Sequence, residues 1–189
     1  MNDAERFFVI TGGPGSGKTT LIDALEEAGF ARTVESGRAV IQEQLANGGD
    51  ALPWKDRIAF AEKMLGRDVQ SYEAALKHTG PVVFDRGIPD VIGYLRLSGL
   101  PVPAHMAKAA KDLRYHARVF IAPPWQAIYA QDAERKQDFD EAQRTYDAMV
   151  GTYMEFGYEL VELPRVSVEE RVAFVVRSIS ANSPISASS

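Results

Sequence analysis

The sequence predicts an α/β protein of three layers: a parallel β-sheet with helices packed on both faces. Three observations predict it. Five short apolar runs, rich in β-branched residues and bounded by Gly, Pro or charge, fall at 7–11, 31–34, 82–84, 119–121 and 159–162. Segments with the spacing of amphipathic helices separate them, and strands that alternate with helices pair in parallel. The first run breaks into a glycine-rich loop and resumes as a helix, the strand–loop–helix order from which such sheets are assembled.

Each element has its own signal. After the first strand, a helix over 18–28 stops at Gly29. The second strand leads to a helix over 38–46 that ends in Asn47-Gly48-Gly49, and 54–77 reads as one long amphipathic helix. The third strand precedes a helix over 88–97, closed by Ser98-Gly99, and another over 103–114. The fourth strand is followed by a helical region over 126–156 with a charged interruption. The fifth strand and a helix over 168–180 close a single domain of residues 1–180. The small, polar tail 181–189 is expected to be disordered.

The 189 residues are enough for a substantial core, and 46% hydrophobic with 25% charged residues is ordinary for a soluble globular chain. Cysteine is absent, which excludes disulfides, thiolate catalysis and Cys-ligated zinc. The acidic N-terminus and its short apolar run do not fit a signal peptide, and no apolar stretch reaches membrane-spanning length. A cytoplasmic protein is expected, with no membrane partner. A net charge of −5 argues against a broad nucleic-acid surface. His78, His105 and His116 lack metal-ligand spacing.

In an open parallel sheet, ligands sit beyond the C-terminal ends of the strands. The residues there carry the functional reading. Gly12-Gly13-Pro14-Gly15-Ser16-Gly17-Lys18-Thr19 fits G-x-x-x-x-G-K-[ST], and Thr20 extends it. Glycines let backbone N–H groups turn toward oxyanions, and the following helix adds its positive end. Lys18 is expected to reach the β- and γ-phosphates of a nucleoside triphosphate, and the Thr19 hydroxyl to ligate Mg²⁺.

Glu35 and Arg38 follow the second strand. Alone they read as a helix start, with Ser36 as cap and Arg38 in solvent; at a strand end they are candidates for accepting a hydroxyl proton and holding an anion. Asp85 ends the third strand, where an acid organises Mg²⁺ directly or through water. Mechanical ATPases usually place a second acid next, to activate water. Arg86 stands there instead and suits an anionic substrate or the transferring phosphoryl group. Asp90 follows on the helix after Gly87, one turn before Tyr94, and is a candidate substrate contact. The charged stretch 132–144 reads, on charge alone, as a solvated helix face. It also lies between the fourth and fifth strands, where a resemblance to P-loop kinases implies a mobile lid over about 126–145, with Arg135, Lys136 and Arg144 as cations for the phosphates. Pro123-Pro124-Trp125 reads as a packing turn before a base-stacking one, and Phe60, Met64 and Leu65 as core before substrate wall.

Through GGPGSGKTT, VESGR, FDRGIPD and the closing GYELVELP, residues 6–180 resemble the nucleoside- and nucleotide-kinase branch of P-loop proteins. More narrowly, the chain is similar to small bacterial AAA-domain proteins related to the ribosylnicotinamide-kinase domain. That resemblance implies a P-loop fold with a five-stranded parallel sheet in order 2-3-1-4-5 and a helical lid. It also implies that Glu35, Arg38, Asp85 and Arg86 face the phosphate acceptor. It does not imply a mechanical ATPase, since the second acid and any room for a C-terminal helical domain are missing.

The expected function is an ATP- and Mg²⁺-dependent phosphotransferase acting on a small metabolite. Carboxylates beside the arginines favour a nucleoside-like or sugar hydroxyl, which must lose a proton, over a phosphate acceptor, which needs only cations; Arg38 and Arg86 together would equally grip a monophosphate. The alternative is an ATPase or nucleotide-dependent switch with no small-molecule acceptor. A binding module that had lost catalysis would carry a damaged loop, and Lys18 and Thr19 are intact.

Overall fold

The computed structural model describes residues 3–129 and 139–181. Five strands, β1 (Phe7–Gly12), β2 (Ala31–Arg32), β3 (Val82–Asp85), β4 (Arg118–Ala122) and β5 (Glu159–Glu162), pair in parallel in the order β2-β3-β1-β4-β5. This is the expected order. Successive side chains of β1 point to opposite faces, so Phe7 and Val9 enter one core and Phe8 and Ile10 the other.

A 3₁₀ turn, Asp3–Arg6, leads into β1. The smaller core lies under α1 (Lys18–Glu27) and α8 (Val168–Ser180), where Leu21, Ile22 and Leu25 meet Val175 and Ile179. The larger lies under α2 (Ser36–Asn47), α3 (Arg57–Ala75), α4 (Ile88–Leu97), α5 (Ala104–Asp112) and α7 (Phe139–Glu155). A single turn, α6 (Gln126–Tyr129), follows β4. No helix among the described residues is long and apolar enough to cross a membrane.

Several boundaries differ from expectation, each for a local reason. β2 stops at Arg32 rather than 34, because Thr33 turns its hydroxyl to the Asp85 N–H, 3.2 Å away. α2 begins at Ser36, two residues early; Glu35 occupies the cap position and makes no side-chain cap bond, so Ser36 is not the cap. α3 starts after Asp56, whose carboxylate accepts the Ala59 N–H at 2.9 Å, and Trp54 lies outside it. After β4 the described residues are helical over α6 and α7, and residues 130–138 lie outside the described residues. Arg135, Lys136 and the tail 182–189 lie outside them too, whereas Ala181 caps α8.

Candidate active site

The phosphate loop runs from the end of β1 to α1. Gly12, Gly15 and Gly17 take positive φ, the left-handed region that glycine enters without steric cost. At Gly12 the space is closed as well, since a Cβ would lie 2.4 Å from the Ala122 carbonyl oxygen. Ser16 donates its hydroxyl to the Gly13 carbonyl at 2.9 Å. Lys18 curls over the loop and donates to the same carbonyl at 2.6 Å and to Ser16 Oγ at 3.2 Å. Burial, with Arg86 acting the same way, lowers its pKa to about 7 against the opposing pull of Asp85, Glu35 and Asp90. An anion in the cradle would reverse that balance. Thr19 and Thr20, in the first turn of α1, are exposed.

Asp85 ends β3 beside Ile10 of β1, which sets it at the loop's flank. Burial raises its pKa, Glu35 and Asp90 push the same way, and Arg86 and Lys18 oppose them. Among the described residues no group of three or more His, Cys, Asp or Glu could hold a metal ion alone. The exposed Thr19 hydroxyl and the Asp85 carboxyl suit Mg²⁺, which keeps several waters and takes the rest of its oxygens from phosphates.

Arg86 joins the loop to the rest of the site. Its φ of 68° is unusual for a non-glycine residue, a strain on the order of 1–3 kcal/mol. That turn folds the guanidinium back to donate to the Gly12 carbonyl at 2.9 Å, 3.5 Å from Glu35 Oε1 and 3.3 Å from Asp90 Oδ1. Burial opposes its charge, and Asp90, Glu35 and Asp85 more than offset this, so its pKa rises.

Asp90 is buried and fully engaged. It accepts from Thr11 Oγ1 at 2.5 Å, Tyr153 OH at 2.6 Å and the Gly87 N–H at 2.9 Å, besides Arg86. Its two oxygens therefore hold protein donors from β1, α7 and the start of α4. Arg38 is half exposed and 4.0 Å from Glu35 Oε2.

Beside the loop opens a cavity of about 640 Å³. Its polar end holds Pro14, Glu35, Arg86 and Asp90, and its waist is Ile41, Phe60, Met64, Val91, Tyr94 and Met149. At the outer end stand Gln42, Arg57 and Ser98, with Glu141 and Arg144 on the rim from α7. Phe60 and Met64 thus belong to core and cavity wall together, while Leu65 is core alone. The Pro123-Pro124-Trp125 turn is pinned by Arg165, which donates to the Pro124 carbonyl at 3.3 Å.

Sequence reasoning missed Arg57 and Asp68, both cavity-lining residues of α3. The available signal was spacing. Residues 57, 60, 64 and 68 share one helical face, so Asp68 interrupts an apolar stripe.

Solved structures share this architecture. The NadR protein, in complex with NR, superposes with a TM-score of 0.73 at 17% identity over 97% of this chain, which spans about half (52%) of that one. Deoxyadenosine kinase from M. mycoides gives 0.61 at 12% identity, covering 93% of this chain and 99% of the other. Thymidylate kinase from Ehrlichia chaffeensis gives 0.59 at 17% identity, covering 94% and 99%. At these identities the likeness is one of fold. No curated protein matches the chain. The family model that matches, over residues 7–171, is described as an AAA domain, and the chain belongs to that AAA-domain family.

Proposed function

We propose that the protein is an ATP- and Mg²⁺-dependent phosphotransferase whose acceptor is the hydroxyl of a small, nucleoside-like molecule. The observation that carries this reading is the cavity: about 640 Å³, apolar at its waist, and opening onto the phosphate loop at Pro14 and onto Glu35 and Arg86. Hydrolysis needs room for one water, whereas a cavity of this size suits an organic molecule. The ends also suit a nucleoside-like shape, with a polar reacting end at Glu35, a flat apolar body at Phe60 and Met64, and a polar far edge at Gln42, Arg57 and Ser98. Cations do not dominate the cavity. Arg38, Arg57, Arg86 and Arg144 share it with Glu35, Asp90 and Glu141, and Arg86 already has acid partners. That balance favours a neutral hydroxyl over a phosphate acceptor.

In this mechanism the loop amides and Lys18 hold the β- and γ-phosphates. Bound Mg²⁺, held by Thr19 and Asp85, would neutralise charge on the phosphate oxygens. The acceptor oxygen forms a bond to the γ-phosphorus as the bond to the β–γ bridging oxygen breaks, and ADP leaves. The hydroxyl proton passes to the Glu35 carboxylate. Arg86, fixed by Glu35, Asp90 and the Gly12 carbonyl, faces the transferring group. Arg144 on the rim would close over it, and Arg135 and Lys136 keep the same proposed role.

The test is ATP consumption with Mg²⁺, alone and with a panel of nucleosides, nucleoside monophosphates, ribosides and sugars. One compound should raise turnover well above background and appear phosphorylated, and Lys18→Ala should abolish this without loss of fold. Equal ATP loss with every compound would instead support the hydrolase or switch reading.

A further inference from the structure

The cavity contains an acid that the transfer mechanism does not use. Asp68 is 6% exposed, forms part of the cavity wall, and its Oδ2 has no hydrogen-bond partner among the described residues. From α2, Ser36 acts on the same carboxyl and favours its ionised form. A buried polar atom without a partner costs about 1–3 kcal/mol, so an orphan on a residue of the cavity wall needs an explanation.

Its place narrows what it meets. Along α3 the cavity face runs Arg57, Phe60, Met64, Asp68, from the outer end inward. The charges that act on Asp68 are Asp90, Glu35 and Arg86, the groups at the reacting end. Asp68 therefore lies toward the reacting end of the cavity, below the apolar waist. In a nucleoside-like acceptor, the group next to the reacting end is the sugar ring.

We propose that Asp68 binds a second hydroxyl of the acceptor, distinct from the one phosphorylated, and so makes the site selective for ribose-like polyols over their deoxy counterparts. The inference rests on the phosphotransferase reading. Burial, the largest effect, raises the Asp68 pKa to about 8, so near neutrality the group is chiefly a carboxylic acid, one donor beside an acceptor. A hydroxyl also donates and accepts, and each would satisfy the other. The same protonation makes Asp68 a poor proton acceptor and leaves that role to Glu35. A site built to bond a hydroxyl rejects the analogue that lacks it, because the buried protein group is left unpaired.

The experiment measures kcat and KM for adenosine, cytidine, uridine and nicotinamide riboside, each with its 2′-deoxy and 3′-deoxy counterpart. The wild type is compared with Asp68→Leu and the near-isosteric Asp68→Asn. For the best riboside, the wild type should prefer it to one deoxy counterpart by about 100-fold in kcat/KM. Asp68→Leu should lose most of the riboside activity and shrink that preference to a few-fold, with the KM for ATP unchanged. Asp68→Asn, which keeps a donor and an acceptor, should restore at least part of the preference, and also covers a Leu variant that fails to fold. A wild type that phosphorylates riboside and deoxy forms alike, or variants that keep the preference, would overturn the role of Asp68 and leave the kinase reading standing. No phosphorylation of any riboside would overturn both.

Discussion

Lys18 must be charged to hold phosphate, yet its surroundings favour the neutral amine. Burial brings its pKa to about 7, and a polyphosphate in the cradle would raise it again. Binding should therefore draw in a proton wherever the free amine is mostly neutral, which is above pH 7. Calorimetry of metal-free ATP binding at pH 8, in buffers of different ionisation enthalpy, should show uptake approaching one proton, falling away by pH 6. No uptake at pH 8 would mean that the ammonium is charged in the free protein. Glu35 makes a separate prediction: Glu35→Gln should lower kcat by about 100-fold or more, within the usual range for losing a general base, and leave the Kd for ATP nearly unchanged. Parallel losses in both would remove it from proton transfer. At this scale the sequence was informative wherever a residue followed a strand. Lys18, Glu35, Asp85 and Arg86 all lie at strand ends, where the topology of the sheet says ligands bind. Asp68 was not legible in that way, because it lies within a long helix where an acid ordinarily faces water. Only packing of α3 against α2 and α4 turns it inward.

Two helices distant in sequence support the phosphate loop. The start of α7 abuts it so closely that a Cβ on Gly13 would lie 2.7 Å from the Ala142 carbonyl oxygen. From α8, Arg171 donates to the Ser16 carbonyl at 3.3 Å and reaches the Gly17 carbonyl at 3.5 Å. Arg171 is 2% exposed, its Nε has no partner, and no carboxylate pairs with it among the described residues. Burial alone lowers its pKa. A buried cation without a counter-ion destabilises a fold, so its positive charge behind the loop is best offset when phosphate is bound. Arg171→Met should therefore weaken ATP binding by about tenfold, equivalent to 1.4 kcal/mol, without lowering the thermal midpoint of the nucleotide-free protein. A fall of many degrees with unchanged ATP affinity would make Arg171 a structural brace instead. Neither support was legible in the sequence, where α8 is an ordinary amphipathic helix and Gly13 one loop glycine among several. The elements themselves were legible from periodicity and glycine stops. Their ends were less so, as at Thr33, where a side chain replaces the next ladder bond of β2.

Across the whole molecule, the alternation of strand and helix predicted a parallel sheet, but the order β2-β3-β1-β4-β5 came only with the family resemblance. Strand order depends on which crossover packs on which face, and a run such as 82–84 carries no mark of its two neighbours. That order brings β3 beside β1, and with it Asp85 and Arg86 beside the loop, so the site is a product of the whole sheet. The global fold also bears the cost of the site's buried acid. Asp68 faces Ser36 and Glu35 from the α2 side and Asp90 and Arg86 from the start of α4, and the Tyr115 ring lies near enough to feel its charge. Its folded pKa, about 8, lies above the ordinary carboxylate value of 3.8, so the folded state binds its proton more tightly than the unfolded chain does. The stability tied to that proton is fully present below about pH 4 and is lost as pH rises through about 8. An asparagine cannot titrate, so Asp68→Asn should abolish this part of the pH dependence. The thermal midpoint of Asp68→Asn minus that of the wild type should grow from pH 5 to pH 8 and level off above pH 9. A constant difference would mean that Asp68 is already ionised in the folded protein, paired more closely with Arg86 than its position indicates. Selectivity for a second hydroxyl would then rest on a carboxylate that only accepts, and the preference for ribosides should persist unchanged to high pH.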